Sequence, residues 1–309
     1  MSEMIDKSLR VPILNNGEKL YLYTSINGLK GICEGKEFWV TERNFLNDSM
    51  EYHVATDVFC EVLDKHMRDK KLCGRIKKKI IAEVIRLQTP GLSTKDKVAF
   101  FGDYVISMSK DCDSALMWSS YADYVGYCIQ FDYEKLLALF KKNQKYLLYD
   151  GNVIYNHDEQ VRLIEEMMVK GYFEWPIGFD YLNSWDDFDN LTNKDIADCY
   201  WWIAADLSLY NSFFKLPCYE GEQEYRFVFS ASHDGGRCKA EDFVAPSFRV
   251  RGDILIPYIK VPFETVESVE KVIVGPKNQS DIAIKGVQYL FRNLKHDVTI
   301  EKSDIPFRY

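Results

Sequence analysis

The stretch Glu222-Gln223-Glu224-Tyr225-Arg226-Phe227-Val228-Phe229 decides how this chain is read. Tyr225 to Phe229 is an aromatic and apolar run of strand type. Side chains alternate faces along a strand, so Glu222, Glu224 and Arg226 are expected on one face and Tyr225 and Phe227 on the other. A charged row backed by an aromatic row describes a sheet with one face in the core and one on a cleft or in solvent. Carboxylates held in a cleft bind sugar hydroxyls or stabilise an oxocarbenium-like cation. On a solvated face the same residues form a Glu–Arg pair worth little. Charged strand faces are common, so this stretch alone favours the solvated face.

Upstream, Lys19 to Thr24 reads as a strand, Ser25 as the N-cap of a helix stopping at Gly35, and Phe38 to Thr41 as a second strand. Asn47 and Asp48 are turn and cap residues, and Asp48-x-x-Glu51 has the form of a capping box before a helical stretch over 49–88. Tyr104 to Ser109 and Gly126 to Asp132 are strands flanking a short helix, Ser114 to Tyr121. Lys145 to Tyr155 reads as a strand or a hairpin around Asp150-Gly151, and 157–213 reads as helical and aromatic. Strands near 225–231, 246–250, 254–261 and 271–274, a helix at 279–293 and a strand at 297–301 complete an α+β chain of one domain with a helical insertion.

With 309 residues the chain can bury roughly three-quarters of its unfolded surface, enough for one large domain. A net charge of −8 argues against general nucleic-acid binding, since it implies no broad phosphate-neutralising surface. None of the eight cysteines forms a Cys-x-x-Cys pair or sits near a histidine at zinc spacing, which fits reduced thiols. No secretion signal and no apolar run of membrane-spanning length are visible, so the expectation is a cytoplasmic protein without a membrane partner.

Several motifs together resemble the bacterial family catalogued as domain of unknown function 2971. They are Leu20 to Ser25, Phe45 to Glu51, Ser107-Met108-Ser109 with Met117-Trp118-x-x-Tyr121, Lys215 with Glu222-x-Glu224-Tyr225-Arg226, Arg249-x-Arg251, Ile273-x-Gly275-Pro276 and Ser303 to Arg308. Each is weak alone; their order along residues 19 to 308 is specific. The opening strand and helix with the late Glu-x-Glu are similar to the ADP-ribosyltransferase fold, which implies a split, twisted mixed sheet gripping NAD. By that resemblance Glu224 is the catalytic acid at the nicotinamide ribose, and Glu222 orients the acceptor. Ser107 and Ser109 support the binding strand, and Trp118 or Tyr121 stacks on the nicotinamide. Tyr21, Tyr23, Thr24, Ser25, Asn47 and Arg226 join them as cofactor contacts. One departure stands out: where such transferases place a strand histidine, this chain has Leu22.

Most of these residues also have plain roles. Tyr21 and Tyr23 fit a half-buried strand, and Trp118 and Tyr121 fit a helix face packed in the core. Arg249 and Arg251 fit a phosphate clamp or cross-sheet partners of the two glutamates. The resemblance implies an NAD-using transferase or glycohydrolase with a macromolecular target, as a toxin or antiphage effector with a possible antitoxin or defence-system partner. A non-catalytic nucleotide-sensing or protein-interaction module is the alternative. In the enzyme reading, Glu224→Gln is expected to leave folding intact and abolish NAD turnover.

Overall fold

The computed structural model describes residues 9–46, 53–88, 102–142, 146–174, 181–230, 246–278 and 280–307. The decisive stretch becomes strand β6 (Glu224–Ser230 in the chain order used here), buried along its whole length. Ten strands join into one mixed sheet around it. They are β1 (Lys19–Thr24), β2 (Glu37–Glu42), β3 (Asp103–Ser109), β4 (Tyr127–Asp132), β5 (Leu147–Asn152), β6, β7 (Ser247–Arg251), β8 (Ile254–Pro262), β9 (Val269–Val274) and β10 (Thr299–Lys302).

The sheet forks at β3. One edge of β3 pairs with β6 from Asp103 to Ser109, and β6 in turn pairs with β5. The other edge is shared: Ser109 pairs with Tyr21 of β1, while Tyr104 and Val105 pair with Glu42 and Thr41 of β2. One arm then runs β1-β4-β9-β10 and the other β2-β8-β7. Pairing is antiparallel throughout except between β9 and β10.

Both faces of β6 are covered because its two side-chain rows meet different layers. Tyr225, Phe227 and Phe229 enter a core with Leu20, Ile129 and Phe131, shared with α1 (Ile26–Gly35), α5 (Tyr133–Lys141) and α8 (Asp281–Asn293). On the opposite face Val228, with Val105 and Tyr149, meets a helical layer of α2 (Val54–His66), α3 (Lys70–Gln88), α6 (His157–Met168) and α7 (Asn193–Tyr210). Farther along that face α4 (Ala115–Ala122) lays Met117 and Trp118 on Tyr23 and Cys128. Local signals set these helix starts: Ser25, Ser114, Asp132, Asn156 and Ser280 each accept a first-turn backbone N–H.

Two segments take their detail from tertiary contacts. The helical stretch after residue 53 is two helices, because Asp189 accepts the N–H groups of Arg68 and Asp69 at 3.0 Å and Asp69 then caps α3. Asp48 and Glu51 lie outside the described residues. Of the two readings around Asp150-Gly151 the strand holds: the pair sits inside β5, opposite Phe227 and Arg226. Glycine is needed there because a Cβ would lie 2.4 Å from Cγ2 of Val11. Asp150 is drawn into the strand by the hydroxyls of Tyr133, at 2.8 Å, and Tyr225.

Candidate functional site

Register places Tyr21, Ser109 and Glu224 side by side across β1, β3 and β6, all on one face. Beyond the Tyr21–Ser109 pair the two strands part, and the gap between them opens as a cleft. Tyr21, Leu22 and Tyr23 line one wall, Ser107, Met108 and Ser109 the other, with Met117 and Tyr121 of α4 and Glu224 completing it. Its volume is about 40 Å³. That holds a few waters or the edge of one ring, far less than the several hundred Å³ that enclose a whole drug-sized ligand.

Behind the cleft lies a buried network of four charges. Nε and Nη2 of Arg226 donate to Oε2 of Glu224 at 2.9 and 2.6 Å. Nζ of Lys215 lies 3.3 Å from the same oxygen and donates to Oε2 of Glu222 at 2.7 Å. Oε2 of Glu224 takes all of these contacts, so Oε1 is the oxygen free of them on a residue that lines the cleft. Tyr121 donates its hydroxyl to Oε1 of Glu222 at 2.9 Å, linking the cleft wall to the second glutamate. The Glu224 N–H donates to the Tyr155 hydroxyl at 3.0 Å, and Ser109 Oγ donates to the Glu222 carbonyl at 2.9 Å.

Glu224 is only 4% exposed and Arg226 1%, which rules out the solvated-face reading. Burial by itself raises the pKa of Glu224. The charges of Arg226 and Lys215, with their hydrogen bonds, outweigh it and hold the carboxyl below its ordinary value. Among the described residues the network sets two cations, Lys215 and Arg226, against Glu222 and Glu224, and removing one member leaves a buried charge short of a partner, costing about 3–5 kcal/mol. By the same reasoning Glu224→Gln is expected to carry a stability cost, which has to be separated from any loss of turnover.

The two glutamates do not share a strand face by alternation. Glu222 ends a 3-10 turn, Pro217–Glu222, and Gln223 takes a left-handed φ of 45°, so the strand begins only at Glu224. Lys215 joins the two acids instead. Arg226 serves Glu224 and the Ser212 carbonyl at 2.8 Å rather than lining the cleft.

Of the other expected contacts, Tyr21, Tyr23, Ser107, Ser109 and Tyr121 come together at the cleft. Tyr23 spends its hydroxyl on a turn, donating to the Asp111 carbonyl and accepting from the Ser114 N–H, each at 2.9 Å. Trp118 is 0% exposed, packs edge-on against Tyr23 and donates Nε1 to Asp113 at 2.6 Å; its role is packing, not stacking on a ligand. Thr24 packs against Gly28 and Ser25 caps α1, both outside the cleft lining. Asn47 lies outside the described residues. Leu22 lines the cleft while also packing on the aromatic core, where Leu20 points. Arg249 donates to Thr41 at 2.7 Å on the far arm, so the cross-sheet pairing with Glu222 and Glu224 does not form. Tyr155 and Met117 were not legible as site residues: nothing in their local sequence marks a role that arises from long-range packing.

A forked mixed sheet with a carboxylate presented at the fork defines the class of this protein structurally. Residues 117–227 match the family model described as Protein of unknown function (DUF2971), which supports the family indicated by the motifs. The matched segment holds Tyr121, Lys215, Glu222, Glu224 and Arg226. No curated protein and no solved structure matches the chain.

Proposed function

We propose that the cleft belongs to an ADP-ribosyltransferase-like enzyme that takes NAD as substrate and modifies a macromolecular target. The observation that supports it best is the meeting of Tyr21, Tyr23, Ser107, Ser109 and Tyr121 around the buried, ionised Glu224. A cleft of this size would take no more than the edge of the nicotinamide ring or a ribose hydroxyl, with the rest of the dinucleotide along the open fork. In the reaction the bond between ribose C1′ and the nicotinamide nitrogen breaks, and its electron pair leaves with nicotinamide. Glu224 bonds a ribose hydroxyl and stabilises the cation developing on the sugar. The acceptor then attacks C1′ and gives up its proton, with Tyr121 and Glu222 as the adjacent hydrogen-bonded pair that receives it. A role as a toxin or defence effector, held in check by an antitoxin or another defence-system protein, belongs to this proposal.

The experiment is incubation with labelled NAD and lysate, following label into protein, nucleic acid or free ADP-ribose. Turnover by the wild type is expected to fall about 100- to 1000-fold in Glu224→Gln, assayed well below its melting temperature. Unchanged turnover would refute the assignment.

A second reading, a nucleotide-sensing or protein-interaction module of the same fold, is favoured by Leu22 at the position of the transferase histidine and by the neutralisation of Glu224 by Arg226. Tight NAD or ADP-ribose binding without turnover, measured by calorimetry, selects it.

A further inference from the structure

The last described residues of the chain lie against α4, the helix that supplies Met117 and Tyr121 to the cleft wall. After β10 the backbone leaves the sheet, with the Ser303 N–H still donating to the Val274 carbonyl at 2.9 Å. Asp113, one residue before the N-cap of α4, then gathers three donors. Its Oδ1 accepts from Trp118 Nε1 and from Ser303 Oγ, each at 2.6 Å, and its Oδ2 accepts the Asp304 N–H at 2.8 Å. Ile305 packs on the cluster of Tyr23, Met117, Trp118 and Cys128. Phe307 lies against Tyr124, just past the other end of α4, with ring centroids 4.6 Å apart.

These contacts meet α4 where it needs support. With eight residues it is too short to persist on helix propensity alone, so its ends must be anchored from outside. At the start, the Tyr23 hydroxyl and Asp113 hold the turn that leads into it. At the end, Tyr124 takes a left-handed φ of 59°, a conformation that a bulky residue keeps only when its surroundings enforce it. Those surroundings are Phe307 and the Lys277 ammonium, which lies 4.5 Å from the Phe307 ring centroid and 5.1 Å from that of Tyr124. The Lys277 N–H also donates to the Tyr124 carbonyl at 2.9 Å. From the helix so fixed, the Tyr121 hydroxyl reaches Glu222 on the cleft side.

We propose that residues 303–307 form a positioning strap. Through Asp113 and Tyr124 the strap fixes α4, and so sets where Tyr121 and Met117 stand in the cleft wall. The proposal rests on the reading of the cleft as the place where NAD reacts. Asp113, Ile305 and Phe307 lie outside the cleft lining and act through α4 alone.

The test is hydrogen exchange read by peptide mass spectrometry on the full chain, with β6 as internal reference. In the double variant Ser303→Ala with Phe307→Ala, the α4 amides are expected to exchange at least about tenfold faster while those of β6 keep the wild-type rate. Cys128 is 0% exposed in the cluster beneath α4, and its alkylation by iodoacetamide is expected to quicken in step. Asp113→Ala should act likewise, whereas Asp113→Asn keeps an acceptor oxygen for Trp118 and Ser303 and should restore most of the protection. Turnover of labelled NAD, as kcat/KM, is expected to fall at least about tenfold in the double variant and in Asp113→Ala, and to recover in Asp113→Asn. Wild-type exchange of α4 in the double variant overturns the proposal, as does equal acceleration in α4 and β6, which marks general loosening. Full turnover despite faster α4 exchange overturns it as well, because the strap would then hold a helix that does not set the site. A wild type that turns over no NAD refutes the reading of the cleft instead, and exchange and alkylation still decide whether the strap holds α4.

Discussion

Glu224 shows how one residue carries two duties with opposed requirements. As a reacting carboxylate it must be ionised at a cleft, and as a buried one it needs cations beside it, which Arg226 and Lys215 supply. Its folded pKa is depressed, so the stability it contributes is present above the ordinary carboxylate range and is lost as pH falls through the lowered value. Lys215→Met is expected to cost about 3–5 kcal/mol in urea unfolding, because it takes the described cation from buried Glu222 and leaves Glu224 with Arg226. A midpoint like that of the wild type would show the network to be dispensable. Glu42 has the opposite sign. Burial, only partly offset by Arg43, pushes its pKa up to about 7. Its stabilising contribution is full below about pH 4.3 and is lost as pH rises through about 7. Glu42→Gln should therefore flatten the loss of stability between about pH 4 and pH 8, a difference of order 3 kcal/mol in paired unfolding curves. Parallel pH profiles for the two proteins would refute this.

At the scale of elements, close backbone approaches tie the strands to their neighbours. Gly275 ends β9 where its N–H donates to the Gly126 carbonyl at 2.9 Å, and a Cβ there would lie 2.5 Å from the Tyr124 carbonyl oxygen. The obstacle is backbone, which has no rotamer to yield. Gly275→Ala is expected to lower stability by about 1–3 kcal/mol, read from thermal melts, and an unshifted melt would contradict the close contact. The reason for the glycine lies in a loop some 150 residues away in sequence, beyond the reach of local pattern. Asp150-Gly151 is a second such case. Its local signature leaves strand and hairpin open, and hydroxyls from Tyr133 and Tyr225 and the nearness of Val11 make it mid-strand.

For the whole molecule, stability should grade outward from the fork. β6 is buried on both faces and paired on both edges, while β7 is the terminal strand of its arm, with Phe248 and Val250 exposed. Native-state hydrogen exchange is expected to find the slowest amides in β6 and markedly faster ones in β7, since edge strands open without global unfolding. Equal protection in the two would contradict this layering. Among the described residues no helix is long and apolar enough to cross a membrane.

The sequence by itself determined most of the elements and their order, because caps and strand alternation are short-range signals that survive folding unchanged. It also singled out Glu224, Tyr21, Ser107, Ser109 and Tyr121, which the fold then gathered at one cleft. Only the tertiary structure decided that the charged row is buried rather than solvated and that Lys215 joins the two acids. It also decided that Trp118 packs in the core. Those outcomes rest on which strands share the edges of β3, and edge choice is a long-range pairing that local pattern does not encode.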